Sequence, residues 1–477
     1  MGRGWRTAFA MVTALGLCLP LAGNGQGQAA EAYVRLRPQT SQQLAAPGPS
    51  QCDDLANRLN GLTASKCRAV AAPQGVMSLR WDSVNVADLD AQLRSLKDQG
   101  FVEWFEFRRQ DLHTQSIGLR NPAVIADPAY MATITPTPVV AGEPWFVNDD
   151  IRRLRAWNRM MEVAGQVVIA IIDSGVNFND PVLASMRWNN PREIPGNGID
   201  DDGNGYVDDV AGWDFVDEGS AQLFDDTTQP DNDPSDALGH GTAVAWIAGA
   251  IVGAELRDRV RLMPLRVAFG VNGSGSANPM ALAEAITYAV NNGAHIINIS
   301  LGGAQRYEVV AEAIRHAIHR GVAVIVAAGN STDTALFPAS EPGVVSVGAT
   351  DSKQIPLPFT PFGRDIDILA PGIDMTAAMP LPRITVSGRG TSFAAPVVAG
   401  SLALLWASGI GPDAICSEAR HGALLNLPET MQLRDWAAFN LHLLERLRPT
   451  GDANGWKEKL ALCTSPRLTL SGLVRNP

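Results

Sequence analysis

Apolar positions in the first part of the chain alternate as they do in half-buried elements. Positions 32–37 and 75–81 read as strands, and 101–107 as a third. Between them, 53–59 reads as a short helix. A second helix is expected over 86–97, where Leu89, Leu93 and Leu96 share one face. Residues 31–108 therefore predict a small αβ unit. Residues 109–149 follow, rich in Pro, Ala and Thr and without a period. They predict an exposed linker of the kind that proteases cut, holding a maturation site.

The pattern then changes. Positions 167–172, 260–267, 295–301 and 322–328 are continuous apolar runs, separated by helical stretches at 279–291 and 308–320. Continuous apolar strands alternating with helices indicate a parallel sheet covered on both faces. Residues 150–411 thus predict an α/β fold with a doubly wound parallel sheet. Sites in such sheets form at the C-terminal ends of the strands. A helical pattern at 431–447 makes 412–477 an extension packed on this unit.

At the start, Arg3 and Arg6 precede an apolar run at 8–22, and small residues follow up to Ala30. This reads as a secretory signal peptide over 1–30. It predicts a protein that is secreted, periplasmic or held at the cell surface. The run falls short of the roughly 20 residues a span needs, and no later segment predicts a membrane span.

Five cysteines become four once Cys18 is removed with the signal. An even count in an exported chain suggests disulfides. The local pairs Cys52–Cys67 and Cys416–Cys463 are favoured, because the long middle segment carries no cysteine.

Composition narrows the class. Of 477 residues, 46% are hydrophobic and 18% charged, which supports a large core. The net charge of −11 argues against nucleic acid as a partner. That charge is local: residues 200–236 hold 13 acids and no Lys or Arg, which leaves the remainder close to neutral.

Four short motifs carry candidate chemistry. Asp173-Ser174-Gly175 puts an acid at the end of a buried strand. Gly239-His240-Gly241-Thr242 puts an imidazole at the start of an apolar helix. Gly390-Thr391-Ser392 puts a hydroxyl at the start of another. A serine hydroxyl needs a neighbouring base, a histidine can take its proton near neutrality, and a buried carboxylate fixes the imidazole tautomer. The free N–H groups of a helix start favour an oxyanion. Ala328-Gly329-Asn330 follows a buried strand and offers a side-chain amide as a second donor.

The ordered Asp, His and Ser motifs, with these flanks and Asn330, resemble the subtilases, the subtilisin-like serine endopeptidases. The resemblance covers roughly 150–410. It implies that Asp173 orients, His240 is the base, Ser392 the nucleophile and Asn330 an oxyanion donor. Phe393 departs from the pattern, where the family usually has Met. Ser300-Leu301-Gly302-Gly303 and Gly273-Ser274-Gly275 look like the two segments that pair with an extended protein or peptide substrate. Phe337-Pro338 matches an aromatic-Pro pair of the family, which puts Leu336 at the floor of the primary specificity pocket. A leucine there predicts small or medium apolar residues before the scissile bond. Residues 31–108 resemble subtilase propeptides in position and size, so the chain's own propeptide is expected as an intramolecular inhibitor. The rivals are a non-catalytic peptide-binding protein on the same fold and an esterase.

The acidic insert has its own pattern. Asp200, Asp202 and Asn204 fall at positions 1, 3 and 5 of an EF-hand-type loop, Gly205 at 6, and the Tyr206 carbonyl at 7. The usual Glu at position 12 is replaced by Ala211, and Asp208 or Asp209 can stand in. Oxygen ligands without His or Cys suit structural calcium. Similar insertions bind calcium in many bacterial subtilases. His316 and His319 lie three apart on a helix without acidic or Cys partners nearby, which predicts a surface or capping role. His295 opens a buried strand and reads as structural.

Overall fold

A computed structural model describes residues 28–37, most of 52–69, 76–108, 112–114, Arg155 and, apart from several gaps of which 218–228 is the longest, 166–407. The signal peptide, most of the linker, Gly273, and the extension with Cys416 and Cys463 lie outside the described residues.

The N-terminal unit is a four-stranded antiparallel sheet with order β2-β3-β1-β4. Its strands are β1 (Gln28–Leu36), β2 (Lys66–Ala69), β3 (Val76–Val84) and β4 (Val102–Phe107). Helix α1 (Val86–Asp98) starts where the Asn85 side chain accepts the N–H groups of Ala87 and Asp88. Leu89, Leu93 and Leu96 bury its inner face against Val34, Met77, Leu79 and Trp81. A disulfide joins Cys52 to Cys67 of β2.

A short strand β5 (Leu112–Thr114) follows. The main unit then forms a seven-stranded sheet with order β15-β14-β13-β11-β6-β8-β7. Its pairings are parallel. The strands are β6 (Val167–Asp173), β7 (Trp213–Asp214), β8 (Val260–Arg266), β11 (Ile296–Ile299), β13 (Ala323–Ala327), β14 (Val345–Thr350) and β15 (Ile368–Pro371). Between β8 and β11 the chain adds β9 (Ala268–Val271) and β10 (Ser274–Ala277), and after β11 the two-residue β12 (Leu301–Gly302).

Helices α2 (His240–Val252) and α5 (Thr391–Ala407) cover one face, and α3 (Pro279–Asn291) and α4 (Glu308–His319) the other. Strand β6 shows why the pattern is continuously apolar. Val167, Ile169 and Ile171 join the core under α2 and α5, while Val168, Ala170 and Ile172 join the core under α3 and α4. Each fully buried aliphatic side chain contributes about 1.5–3 kcal/mol. From β6 the sheet runs one way through β8 and the other through β11, so the crevice for a site opens at this reversal.

The N-terminal unit docks on the main unit through helix starts. Tyr33 donates its hydroxyl to Asn278 Oδ1 at 2.8 Å, and Asn278 caps α3. The Glu106 carboxylate accepts the N–H groups of Glu308 and Val309, each at 2.9 Å, at the start of α4. Lys66 pairs with Asp217, and Arg35 and Trp104 both reach Glu312. Strand β5 inserts antiparallel between β12 and β10: Thr114 faces Leu301, His113 faces Gly302 and Ser276, and Leu112 faces Ala277.

Candidate active site

Three adjacent strands end at one edge. β6 ends in Asp173, β11 leads into Ser300, and β13 leads through Gly329 to Asn330. Helices α2 and α5 begin at the same edge, with His240 first in α2 and Ser392 second in α5.

Asp173 is fully buried. Its Oδ1 lies 2.7 Å from His240 Nδ1 and accepts the Ser174 N–H at 2.8 Å. That contact makes Nδ1 the protonated ring nitrogen and turns the basic nitrogen, Nε2, the other way. Nε2 is buried and has no hydrogen-bond partner among the described residues. The Phe393 ring lies 5.9 Å from the imidazole, so the residue after Ser392 brings the start of α5 against His240.

The Ser392 hydroxyl donates to the Ser300 carbonyl oxygen at 3.0 Å, and Ser300 Oγ donates to the Ser392 carbonyl oxygen at 2.9 Å. Asn330 Oδ1 accepts the Thr391 N–H at 3.0 Å and lies 3.3 Å from Thr391 Oγ1. Holding Oδ1 this way leaves the amide N–H₂ as the free end of the side chain. Thr391 Oγ1 also accepts the Gly329 N–H at 3.1 Å. Thr391 is therefore an anchor for Asn330, and its place in the Gly-Thr-Ser motif is the signal that would have found it.

The two segments that the sequence puts forward for substrate binding lie differently against β5. Leu301 and Gly302 pair with β5. On the other side β5 pairs with Ser276 and Ala277, whereas Ser274 and Gly275 pair with Val271 and Gly270 of β9. Leu336 lies between two glycine backbones. A Cβ on Gly329 would meet its Cγ at 2.7 Å, and one on Gly302 would meet its Cβ at 3.5 Å.

In the acidic insert, Asp200, Asp202 and Glu193 each bring an oxygen within 4.8 Å of the others. Glu193 is 7% exposed, and its Oε2 is buried without a partner among the described residues. Its other oxygen accepts the N–H groups of Asp201 and Asp202. Burial and the neighbouring Asp209 and Asp202 carboxylates push the Glu193 carboxyl upward. An orphaned buried oxygen among carboxylates fits a hard dication.

The other residues expected there sit differently. Asp208 accepts the N–H groups of Gly196, Asn197 and Gly198. Asp209 accepts from Asn190, Asn204 and the Tyr288 hydroxyl. Asn204 Oδ1 accepts the Tyr206 N–H, and the Tyr206 ring packs on Trp213, Phe215 and Tyr288. Glu193 was missed because it precedes the loop pattern by seven positions. His295 Nδ1 accepts the Val168 N–H, and burial lowers its basicity. Burial, with the positive Arg320 and His319 nearby, lowers that of His316 as well.

The sequence model of the Subtilase family matches residues 164–412, which contain all five of these strand-end and helix-start residues. The chain belongs to the subtilase family. Thermophilic serine proteinase from Bacillus sp. (strain AK1) is 34% identical over 260 residues, 53% of this chain and 55% of that protein. Thermitase from Thermoactinomyces vulgaris is 33% identical over 265 residues, 54% of this chain and 81% of that protein. The subtilase described here thus spans little more than half the length of the first of these relatives. A solved cold-adapted subtilisin-like serine proteinase is 30% identical over 51% of this chain and 76% of that one, with a TM-score of 0.39. No helix among the described residues of this subtilase is long and apolar enough to cross a membrane.

Proposed function

We propose that this subtilase is an exported serine endopeptidase, made with a propeptide and stabilised by calcium. The observation that carries the reading is the buried Asp173–His240 contact at 2.7 Å, with Ser392 at the start of the neighbouring helix. In the reaction, the Ser392 hydroxyl turns from Ser300 to His240 Nε2 and attacks a substrate carbonyl carbon. Its proton passes to Nε2, and Asp173 stabilises the imidazolium. The oxyanion is met by the Ser392 N–H and the Asn330 amide. The amine leaves with the proton from Nε2, and water then cleaves the acyl-enzyme by the same route in reverse.

The seat of β5 supports a peptide substrate. An extended segment of this chain pairs on both sides, which is strand addition. It also supports reading residues 31–108 as an inhibitory propeptide, cut within the linker beyond Thr114. The crowding of Leu336 against Gly329 supports a shallow pocket for small or medium apolar residues. Glu193, Asp200 and Asp202 would hold the calcium, which supplies a local positive charge that ties the insert together.

A fluorophosphonate probe tests the central claim. The exported protein is expected to label and to cleave casein, and Ser392→Ala to do neither. Peptide binding without labelling would make it a binding protein. Labelling with ester but no peptide cleavage would make it an esterase.

A further inference from the structure

Asp236 is a fully enclosed carboxylate that the reaction above does not use. It is 5% exposed, and among the described residues no Lys or Arg forms an ion pair with it. Five donors converge on it. Oδ1 accepts the Ser174 hydroxyl at 2.9 Å and the N–H groups of Leu238 and Gly239 at 2.9 and 2.8 Å. Oδ2 accepts the N–H of Thr242 at 2.8 Å and its hydroxyl at 2.6 Å.

These donors come from both sides of the catalytic pair. Ser174 follows the acid, Asp173, and its Oγ accepts the Gly241 N–H at 2.9 Å. Leu238, Gly239 and Thr242 surround the base, His240. Gly239 has no side chain to cap α2 and sits at φ 86°, so Asp236 does the capping from three residues upstream. The packing leaves no slack. A Cβ on Gly241 would lie 2.1 Å from the Gly175 carbonyl oxygen, and one on Gly175 would lie 2.5 Å from that of Pro234. Segments 173–176, 234–239 and 240–242 are therefore interlocked, with the Asp236 carboxylate at their junction.

We propose that Asp236 is a positioning residue that fixes the Asp173–His240 distance by clamping the acid-bearing turn to the start of α2 through Ser174 and Thr242. Its hydrogen bonds hold the local structure, but stability alone does not call for a buried carboxylate here. Burial pushes its carboxyl upward, and the hydrogen bonds offset this only in part. An enclosed anion without a cation costs stability. It is kept where the acid and the base meet, and both depend on small displacements: an error of about 1 Å in such a pair costs on the order of 100-fold in rate.

The inference rests on the protease reading, and the test separates the two. Wild type, Asp236→Asn, Ser174→Ala and the double variant are each expressed as the full chain and compared after self-processing. Fluorophosphonate labelling rate, kcat and KM on a peptide amide, and thermal midpoint are measured. Asp236→Asn puts an amide N–H₂ against existing donors. The expected result, read well below the midpoint, is kcat and labelling rate lowered ~10–100-fold with KM within about twofold, while the midpoint itself falls because buried donors lose their acceptor. Ser174→Ala removes the bridge and is expected to lower kcat in the same way. The double variant is expected to be no worse than the poorer single one, because both act through one clamp. Ser174→Ala keeps the test alive if Asp236→Asn does not fold. Wild-type rates in both single variants, or losses that only follow a lowered midpoint, would overturn the proposal. A wild type that does not label would instead overturn the protease reading.

Discussion

Ser392 gives its hydroxyl hydrogen to the carbonyl oxygen of Ser300, 3.0 Å away, and not to His240. Asp173 and His240 are in contact while Ser392 is held on the Ser300 backbone. In the reaction proposed above, the Ser392 hydroxyl leaves the Ser300 carbonyl oxygen for His240 Nε2. Ser392→Ala is expected to keep the fold and lower kcat by about 10⁶-fold, with the uncut precursor accumulating. Mass spectrometry of the exported protein checks this. Normal processing in Ser392→Ala would mean that another protease does the cutting.

Leu336 fills the gap between the Gly302 and Gly329 backbones. Removing its side chain opens space where the substrate residue before the scissile bond is expected to lie. Leu336→Gly is expected to raise kcat/KM for Leu or Phe at that position relative to Ala by ~10–200-fold, the range that apolar pocket contacts supply. A peptide-library profile checks it, and an unaltered profile would place the pocket elsewhere.

Much of the main sheet was legible. β6, β11 and β13 are short apolar runs buried on both faces, and that burial leaves a direct trace in composition. The face of α1 was equally plain from three leucines. β2 was not legible, because Lys66-Cys67-Arg68-Ala69 is polar and becomes a strand only by pairing with β3. β5 was read as linker for a related reason. Leu112–Thr114 has no period of its own, and both of its partners lie more than 150 positions away. The candidate residues Asp173, His240, Asn330 and Ser392 were readable because each sits in a short motif. Glu193, Thr391 and Asp236 act through folded proximity or hide inside a larger run of acids.

Calcium binding makes a prediction that does not depend on activity. With free calcium at 100 times the dissociation constant, one site adds ~2.7 kcal/mol, or about 5–10 °C of thermal midpoint for a domain of this size. A chelator is expected to remove that increment. Glu193→Gln should abolish it as fully as Asp202→Asn, because Glu193 brings the orphaned oxygen. Asp208→Asn should leave metal content intact, since its carboxylate serves the N–H groups of residues 196–198. Elemental analysis of each variant decides which carboxylates hold the ion.

Glu106 gives the docking of the N-terminal unit a pH dependence whose sign follows from its surroundings. Burial against α4 raises its carboxyl above the ordinary value of 4.5. The N–H groups of Val309 and Glu308 lower it, the Glu308 charge raises it, and the Arg306 charge lowers it, without cancelling the burial. The docked state therefore holds this proton more tightly than the undocked one. Its contribution is fully present below 4.5 and is lost as pH rises through the higher, docked value. Glu31 works the other way. Despite its burial, the neighbouring Arg108 and Arg80 charges hold it below the ordinary value, so the N-terminal unit itself weakens on acidification. Glu106→Gln isolates the first effect, because an amide cannot ionise. After self-cleavage, the fraction of N-terminal unit co-eluting with the main unit is expected to fall as pH rises above the carboxylate range in wild type. In Glu106→Gln that fall should flatten. An identical pH profile in the two proteins would show that Glu106 docks without titrating.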